Sequence, residues 1–432
     1  MQRKAFRRLS DWKNRKDKKP LVIKGARQVG KTWLMKEFGK VDYKNSAYIN
    51  FDSNERMLRL FSSDMDINRI ITGLEIEADC KINSSETLII FDEIQECPKA
   101  LTSLKYFYEN APEYNIVAAG SMLGVALHSG TSFPVGKVEF MDLYPLSFFE
   151  FLKALGEDEL LKLTENLDFE LIKTFNDKYI NLLRKYYYIG GMPEVVANFV
   201  QNQDFKQART LQKNILMSYE QDFSKHIPHT TVPNVRMLWN SIPSQLAKEN
   251  KKFIYGLIKK GARAKEYEAA LTWLSDCGLI YKINRVNKPG FPLKAYEDIG
   301  AFKLYVSDVG LLSALSELDV KTLLEGNKIF EEFKGSLTEQ YALQQLKTLD
   351  LPVYYWTSDA GRAELDFILQ IDRQIIPIEA KASINLQAKS LKTYLEKFKP
   401  EVSIRTSTAD YNEFEGLYDI PLYLLEMIQK IL

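Results

Sequence analysis

Gly25-Ala26-Arg27-Gln28-Val29-Gly30-Lys31-Thr32 follows G-x-x-x-x-G-K-[ST], set between the run LVIK and the helical pattern KTWLMKEF. Each letter of that spacing has a chemical reason. Glycines let backbone N–H groups turn inward around an anion, a curve that side chains obstruct. Lys31 brings an ammonium to β- and γ-phosphate oxygens, the helix N-terminus adds partial positive charge, and Thr32 offers a hydroxyl to Mg2+. Nucleotide contacts are therefore expected from Gly25 through Thr32 to Trp33. Farther on, LIIFDE ends in the acids Asp92 and Glu93. Asp92 is expected in the Mg2+ shell, and Glu93 is expected to orient and deprotonate an attacking water. Two adjacent acids favour hydrolysis over simple binding. A strand ending in solvated acids is the plainer alternative. The strand NIVAAG leads to Ser121, where the C-terminal ends of parallel strands face a ligand crevice. Ser121 there either senses the γ-phosphate and lytic water or caps the following turn. No N-K-x-D follows a suitable strand, which leans the expectation toward ATP over GTP.

A second constellation lies near the C-terminus. Asp366 sits on AELDFILQI, Glu379-Ala-Lys381 on IIPIEAKA, and Asp372-Arg373 makes the turn between them. An acid, then acid-x-lysine on a hairpin, is the layout of the PD-(D/E)XK nuclease fold. There Asp366 and Glu379 would hold Mg2+, Lys381 would orient the attacking water, and Glu339 on the preceding helix would be an extra acid. As letters the pattern is weak, and its weight comes from the order helix, two strands, helix. Glu379 and Lys381 are two apart and so share one face of their strand. Charges inside apolar strands need a partner or a metal. Two readings stay open: a metal-dependent nuclease, or salt bridges that stabilise an inactive nuclease-like fold.

The elements that must position these residues are legible in outline. From residue 20 to about 150, short β-branched runs alternate with helical patterns, which means a parallel sheet with helices on both faces. Residues 151–230 read as helical, with apolar spacing in SFFEFLKAL, YINLLRKYYYIGG and ARTLQKNILMSYEQDF. Residues 231–315 show two helices and then a two-stranded hairpin, the outline of a winged helix. Residues 316–432 hold the nuclease-like pattern. The fold class expected is thus α/β: a P-loop sheet, a helical lid, a winged helix and a nuclease-like α/β domain. Lys251, Lys252, Lys259, Lys260, Arg263 and Lys265 cluster in the winged-helix segment, either to meet DNA phosphates or as a solvated face.

Composition narrows the class. The chain has 432 residues, 45% hydrophobic and 27% charged, with a net charge of +1. That is a soluble globular profile with no strong whole-molecule field for nucleic acid or membrane. Its basic start, MQRKAFRRLSDWKNRKDKK, spaces Phe6, Leu9 and Trp12 by three, which predicts an amphipathic helix docked on the first domain. Cys80, Cys97 and Cys277 are scattered, as expected of reduced thiols. With no apolar leader or span, a cytoplasmic protein away from membranes is expected.

At KPLVIKGARQVGKTWL, YINFD, LIIFDEIQECPKAL, AAGSMLG, SFPVGKVEFMDLYPLSFFEFL, YYIGGMPEVV and GSLTEQYAL…GRAELDFIL…IPIEAKA, the chain resembles a prokaryotic family of AAA-type ATPases with a C-terminal domain of unknown function. The resemblance spans most of the chain. It implies an ATP-binding core, a lid, a winged helix and a nuclease-like domain. In related ATPases a G-x-P such as Gly191-Met192-Pro193 approaches the adenine, although a simple loop between helices has the same letters. The family picture also implies an arginine finger and assembly into a homo-oligomer. Arg27 is inside the P-loop, and Lys137 stands where some relatives carry arginine. Two functions are expected to compete: an ATP-hydrolysing switch coupled to a nuclease-like or nucleic-acid-binding half, and an ATP-dependent scaffold whose inactive nuclease-like fold binds a protein partner. A ring that remodels polypeptides lacks any recognisable pore-loop signature.

Overall fold

The computed structural model describes residues 3–121, 123, 134, 136–248, 251–321, 331–358, 361, 363–382 and 389–432. Residues 122 and 124 of the AAGSMLG turn, and 132, 133 and 135 at the start of the SFPVGKVEFMDLYPLSFFEFL run, therefore lie outside the described residues. The chain divides into two compact units, one holding residues 2–144 with 272–279, the other holding 145–271 and 280–432.

In the first of these, β1 (Leu21–Lys24), β2 (Asn45–Asn50), β3 (Thr87–Asp92), β4 (Asn115–Ala119) and β5 (Glu139–Asp142) form one sheet in the order β2-β3-β4-β1-β5. Every pair is parallel. Strand β3 is buried along its whole length, as a near-continuous apolar run in a covered parallel sheet must be. Phe51, Phe61 and Phe91 meet edge-on, with centroids 5.4–5.8 Å apart, and close one face. The helix Lys31–Asp42 buries Leu34, Met35 and Phe38. The N-terminal helix Lys4–Asn14 buries Leu9 and Trp12, and Phe6 packs edge-on to Phe38 at 5.7 Å. Its basic residues thus ride on a docked apolar stripe.

The second unit joins a helical segment to a mixed sheet. Strands β6 (Ile280–Val286), β7 (Glu297–Val306), β8 (Val353–Thr357), β9 (Glu364–Ile371), β10 (Gln374–Ala380), β11 (Ser403–Ser407), β12 (Asn412–Phe414) and β13 (Leu417–Pro421) lie in the order β12-β13-β11-β10-β9-β8-β6-β7. The order helix, helix, hairpin does occur between Val232 and Val306. Its hairpin, however, is continuous with the C-terminal sheet, because β6 pairs with β8 in parallel through Arg285 and Val286. An open strand edge recruits a partner by backbone hydrogen bonding, which no local pattern reveals. The helices from Phe148 to His226 also belong to this unit. Phe148 N donates to Gln345 at 2.9 Å and Phe149 N to Glu426 at 2.9 Å, so the first of these helices has its N-terminal groups satisfied by distant side chains. No helix among the described residues is long and apolar enough to cross a membrane.

Asp308 is the buried knot of this unit. Its Oδ1 accepts from Leu311 N at 3.0 Å, capping the helix Val309–Leu315, while Oδ2 accepts from Gly191 N at 2.6 Å and Gln344 Nε2 at 3.1 Å. Gln344 also donates to Tyr186 OH, a titratable group that Asp308, Glu426 and Glu150 all act on. Burial pushes the Asp308 carboxyl up to about 6, against the pull of those hydrogen bonds. The folded chain therefore holds this proton more tightly than the unfolded chain. The stabilisation is fully present below the unfolded value near 4, and is lost as pH rises through about 6, roughly 3 kcal/mol in all. Asp308→Asn is expected to lack that falling limb. Its melting temperature, compared with the parent's, should gain ground steadily between pH 4 and 6.5. Parallel melting profiles across that range refute the assignment.

Candidate functional site

The first unit brings the P-loop and both acids of β3 together. Gly25 has φ +144°, and a Cβ there would lie 2.2 Å from the carbonyl oxygen of Leu143. Gly30, at φ 92°, enters the helix Lys31–Asp42 in the left-handed region and leaves the helix without a side-chain cap. A helix N-terminus of uncapped N–H groups behind such a turn suits an anion. Lys31 is buried, and its Nζ donates to Gly25 O and Ala26 O at 2.8 Å each. Burial draws its ammonium down to about 8, against the opposing pull of Glu93 and Asp92. A desolvated cation satisfied only by neutral carbonyls is well suited to exchange them for phosphate oxygens.

Thr32 Oγ1 donates to Asp92 Oδ2 at 2.7 Å, and Tyr48 OH donates to the same oxygen at 2.9 Å. The hydroxyl and the carboxylate that would share a Mg2+ are thus already in contact. The remaining oxygen, Oδ1, accepts from Glu93 N at 3.1 Å. Glu93 has φ +49°, an uncommon region for a non-glycine residue, and that turn separates its carboxylate from the line of β3. Glu93 Oε2 accepts from Gln95 Nε2 at 2.7 Å, Ser121 Oγ at 3.1 Å and Ser121 N at 3.3 Å. Ser121 thus faces the second acid. Arg27, Gln28 and Trp33 are exposed along the loop, Val29 is buried beneath it, and Ala26 is buried. Lys137 pairs with Glu109 at 2.9 Å.

Four contributors carry no local motif. Arg3 is buried and donates to Val29 O at 2.9 Å and Tyr144 O at 2.6 Å, tying the N-terminal segment to the back of the loop. Tyr48 and Gln95 orient the two acids. Gly278, in the 272–279 segment counted with this unit, lies so close to the loop that a Cβ would be 3.1 Å from Ala26 N. A glycine after an apolar helix was the only sequence signal for that last contact.

Pro193 belongs to the other unit, where it opens the helix Pro193–Asn202 and is half-buried. The C-terminal constellation is in that unit too. The β9–β10 register pairs Phe367 with Ile378, so Asp366 and Glu379 lie one step beyond it, and Ala380 N donates to Asp366 Oδ2 at 2.8 Å. Lys381 Nζ is bonded to Glu379 Oε1, while Glu379 Oε2 is buried with no hydrogen-bond partner. Burial, and then the charge of Asp366, push Glu379 up to about 7. Burial alone would depress the Lys381 ammonium, but Glu379 and Asp366 raise it above its ordinary value.

Glu339 differs from a free extra acid. Its oxygens accept from Lys251, from Lys303 Nζ at 2.9 Å and from Tyr305 OH at 2.7 Å. Lys303, with no solvent exposure, also meets Glu364 at 2.6 Å. Lys251 was grouped with a basic surface by its neighbours in sequence, yet its side chain turns into this pocket, while Lys252, Lys259, Lys260, Arg263 and Lys265 are exposed. Among the described residues, no three His, Cys, Asp or Glu side chains converge in a metal-ready group. Asp366 and Glu379 do offer a divalent cation one orphaned oxygen and a second carboxylate, a donor set of the kind Mg2+ completes with water.

Three family models match the chain. Residues 17–152 match the family model described as an AAA domain. Residues 180–322 and 334–425 match two models described as domains of unknown function, DUF8612 and DUF4143. No curated protein matches the chain. Among solved structures, it is similar to a Walker-type ATPase of Pyrococcus abyssi at 15% identity, covering 72% of this chain and 94% of that one, with a TM-score of 0.46. It is also similar to the ORC1 protein of Aeropyrum pernix, solved in complex with DNA, at 13% identity over 72% and 91% of the two chains, TM-score 0.27. Cdc6p of Pyrobaculum aerophilum gives 11% identity over 74% and 91%, TM-score 0.25. The chain joins a P-loop AAA domain to two C-terminal domains of unknown function.

Proposed function

We propose that the first unit binds ATP with Mg2+ and hydrolyses it, and that the protein works as a nucleotide-dependent switch coupled to its C-terminal half. The observation that carries this reading is the Thr32–Asp92 contact at 2.7 Å, which joins the residue after Lys31 to the residue before Glu93. Mg2+, when bound, supplies Lewis-acid polarisation of the β- and γ-phosphate oxygens. The chain does the rest. N–H groups of the loop and the Lys31 ammonium hold the phosphates, and Thr32 with Asp92 holds the cation's shell. Glu93, steadied by Gln95 and Ser121, accepts a proton from water as the water oxygen bonds to the terminal phosphorus. The oxygen between the β- and γ-phosphorus leaves with ADP. Pro193 toward the adenine, an arginine finger and a homo-oligomer complete the reading.

Glu93→Gln tests it. The variant is expected to keep ATP affinity while phosphate release drops about a hundredfold or more. Unchanged phosphate release removes Glu93 from the chemistry.

A second reading concerns the C-terminal half, where Asp366, Glu379 and Lys381 would use a divalent cation to cut a phosphodiester in DNA or RNA. The buried, unpartnered Glu379 Oε2 favours it. The exposed Lys252, Lys259, Lys260, Arg263 and Lys265 would supply salt-sensitive phosphate contacts. The opposing lysines on Glu339 favour the alternative, a regulatory scaffold that does not cut and binds a protein partner.

A further inference from the structure

The charges of the C-terminal pocket come from two stretches of chain. Lys251, Lys303 and Tyr305 lie within residues 180–322, whereas Glu339, Glu364, Asp366, Glu379 and Lys381 lie within 334–425. The first stretch thus delivers cations to acids of the second.

Lys251 and Lys303 are held very differently. Lys303 is on β7, in register with Ile283, and its side chain has no exposure. Removing it from Glu339 requires breaking the strand. Lys251 lies outside any helix or strand, and its side chain is 16% exposed. Its segment is fastened just beyond, where Phe253 N donates to Phe302 O at 2.8 Å and Gln245 exchanges two hydrogen bonds with Ile254 at 2.9 and 3.0 Å. The ammonium can therefore leave while its anchor stays.

The pocket also wants more positive charge than it has. Lys251, Lys303 and Lys381 face Glu339, Glu364, Asp366 and Glu379, and the buried Glu379 Oε2 accepts nothing. A buried carboxylate oxygen without a donor is costly. Lys303 bridges Glu339, the partner of Lys251, to Glu364, and Glu364 lies two residues from Asp366 on β9 and so shares its face, which gathers the partner of Lys251 and the acids a cation would use around one lysine.

We infer that Lys251 is a tethered counter-ion that competes with a divalent cation for this carboxylate pocket, and that its withdrawal opens the pocket. The inference rests on the reading that Asp366 and Glu379 take such a cation. It adds the regulation: the key to the acids is carried by the neighbouring domain, so a swing of the Lys251 side chain about its fastened anchor exposes or neutralises them.

Isothermal titration of Mn2+ into the full chain, without nucleotide, tests it. Lys251→Met is expected to bind Mn2+ at least tenfold more tightly than the parent. Lys251→Gln keeps a donor to Glu339 and guards against a folding defect; it should show the same gain. Asp366→Asn, added to Lys251→Met, should remove the tightened site and leaves any Mn2+ held at Thr32 and Asp92 as the baseline. If both Lys251 variants bind like the parent while Asp366→Asn abolishes binding, the counter-ion role is wrong and the metal reading stands. If no chain shows an Asp366-dependent site, both fall together.

Discussion

Lys31→Ala is expected to lose nucleotide affinity by at least about a hundredfold, or about 3 kcal/mol, in a titration with a fluorescent ATP analogue. Phosphate release should fall to background in the same variant. The size follows from where the ammonium lies. It is buried at the base of the loop, and among the described residues it donates to two backbone carbonyls, at 2.8 Å each. Exchanging those neutral acceptors for ionised phosphate oxygens replaces ordinary hydrogen bonds by charge-assisted ones in a place that water screens poorly. The loop itself should survive, because its shape comes from Gly25 and Gly30 and from the buried Val29 held by Arg3. The melting temperature without nucleotide should therefore stay near the parent's, while the rise that Mg2+ and ATP give the parent disappears. Affinity within threefold of the parent's, in a chain that melts normally, would sink the phosphate assignment.

How much of this was legible in the sequence follows from how local each interaction is. Gly25 to Thr32 is one turn and the start of one helix, so spacing alone carries the geometry. The place of Asp92 and Glu93 at a strand end was legible because an apolar run closed by two acids reads as a buried strand that stops there. Tyr48 and Gln95 were not. They find Asp92 and Glu93 through the β2–β3 pairing and the turn after β3, and nothing in their own surroundings marks them. The same holds more strongly in the second unit. Asp366, Glu379 and Lys381 share a hairpin and could be read together. The partners of Glu339 come from Lys251, Lys303 and Tyr305, on segments far up the chain. Letters do not tell a desolvated lysine from a solvated one: Lys251 and Lys252 are adjacent, yet one turns into the pocket and the other is exposed. The hairpin of β6 and β7 shows the same limit in the backbone. Its local pattern describes two strands, and only the pairing with β8 makes them the margin of a larger sheet.

That buried pocket should dominate the stability of its unit. Lys303→Met is expected to cost about 3–5 kcal/mol, since it leaves two acids short of a partner where water does not reach. The side chain has no exposure, Glu339 is 2% exposed, and Glu364 lies 2.6 Å away. Methionine fills much the same volume, so the loss reports charge rather than a cavity. Removing an acid as well should return part of the loss. In a double-mutant cycle, Lys303→Met with Glu364→Gln is expected to be less destabilising than the two single changes added together, by about 1 kcal/mol or more. Denaturant melts followed by tryptophan fluorescence, to which Trp239 and Trp356 buried in this unit contribute, give the transition to compare. A Lys303→Met chain that unfolds within about 1 kcal/mol of the parent would mean that the ammonium is not holding the acids. Additive single changes would mean that Glu364 does not depend on it. The cycle therefore separates a pocket built around a fixed internal cation from one whose charges merely happen to be near each other, and the former is what Lys251 needs if it is to leave without the pocket collapsing.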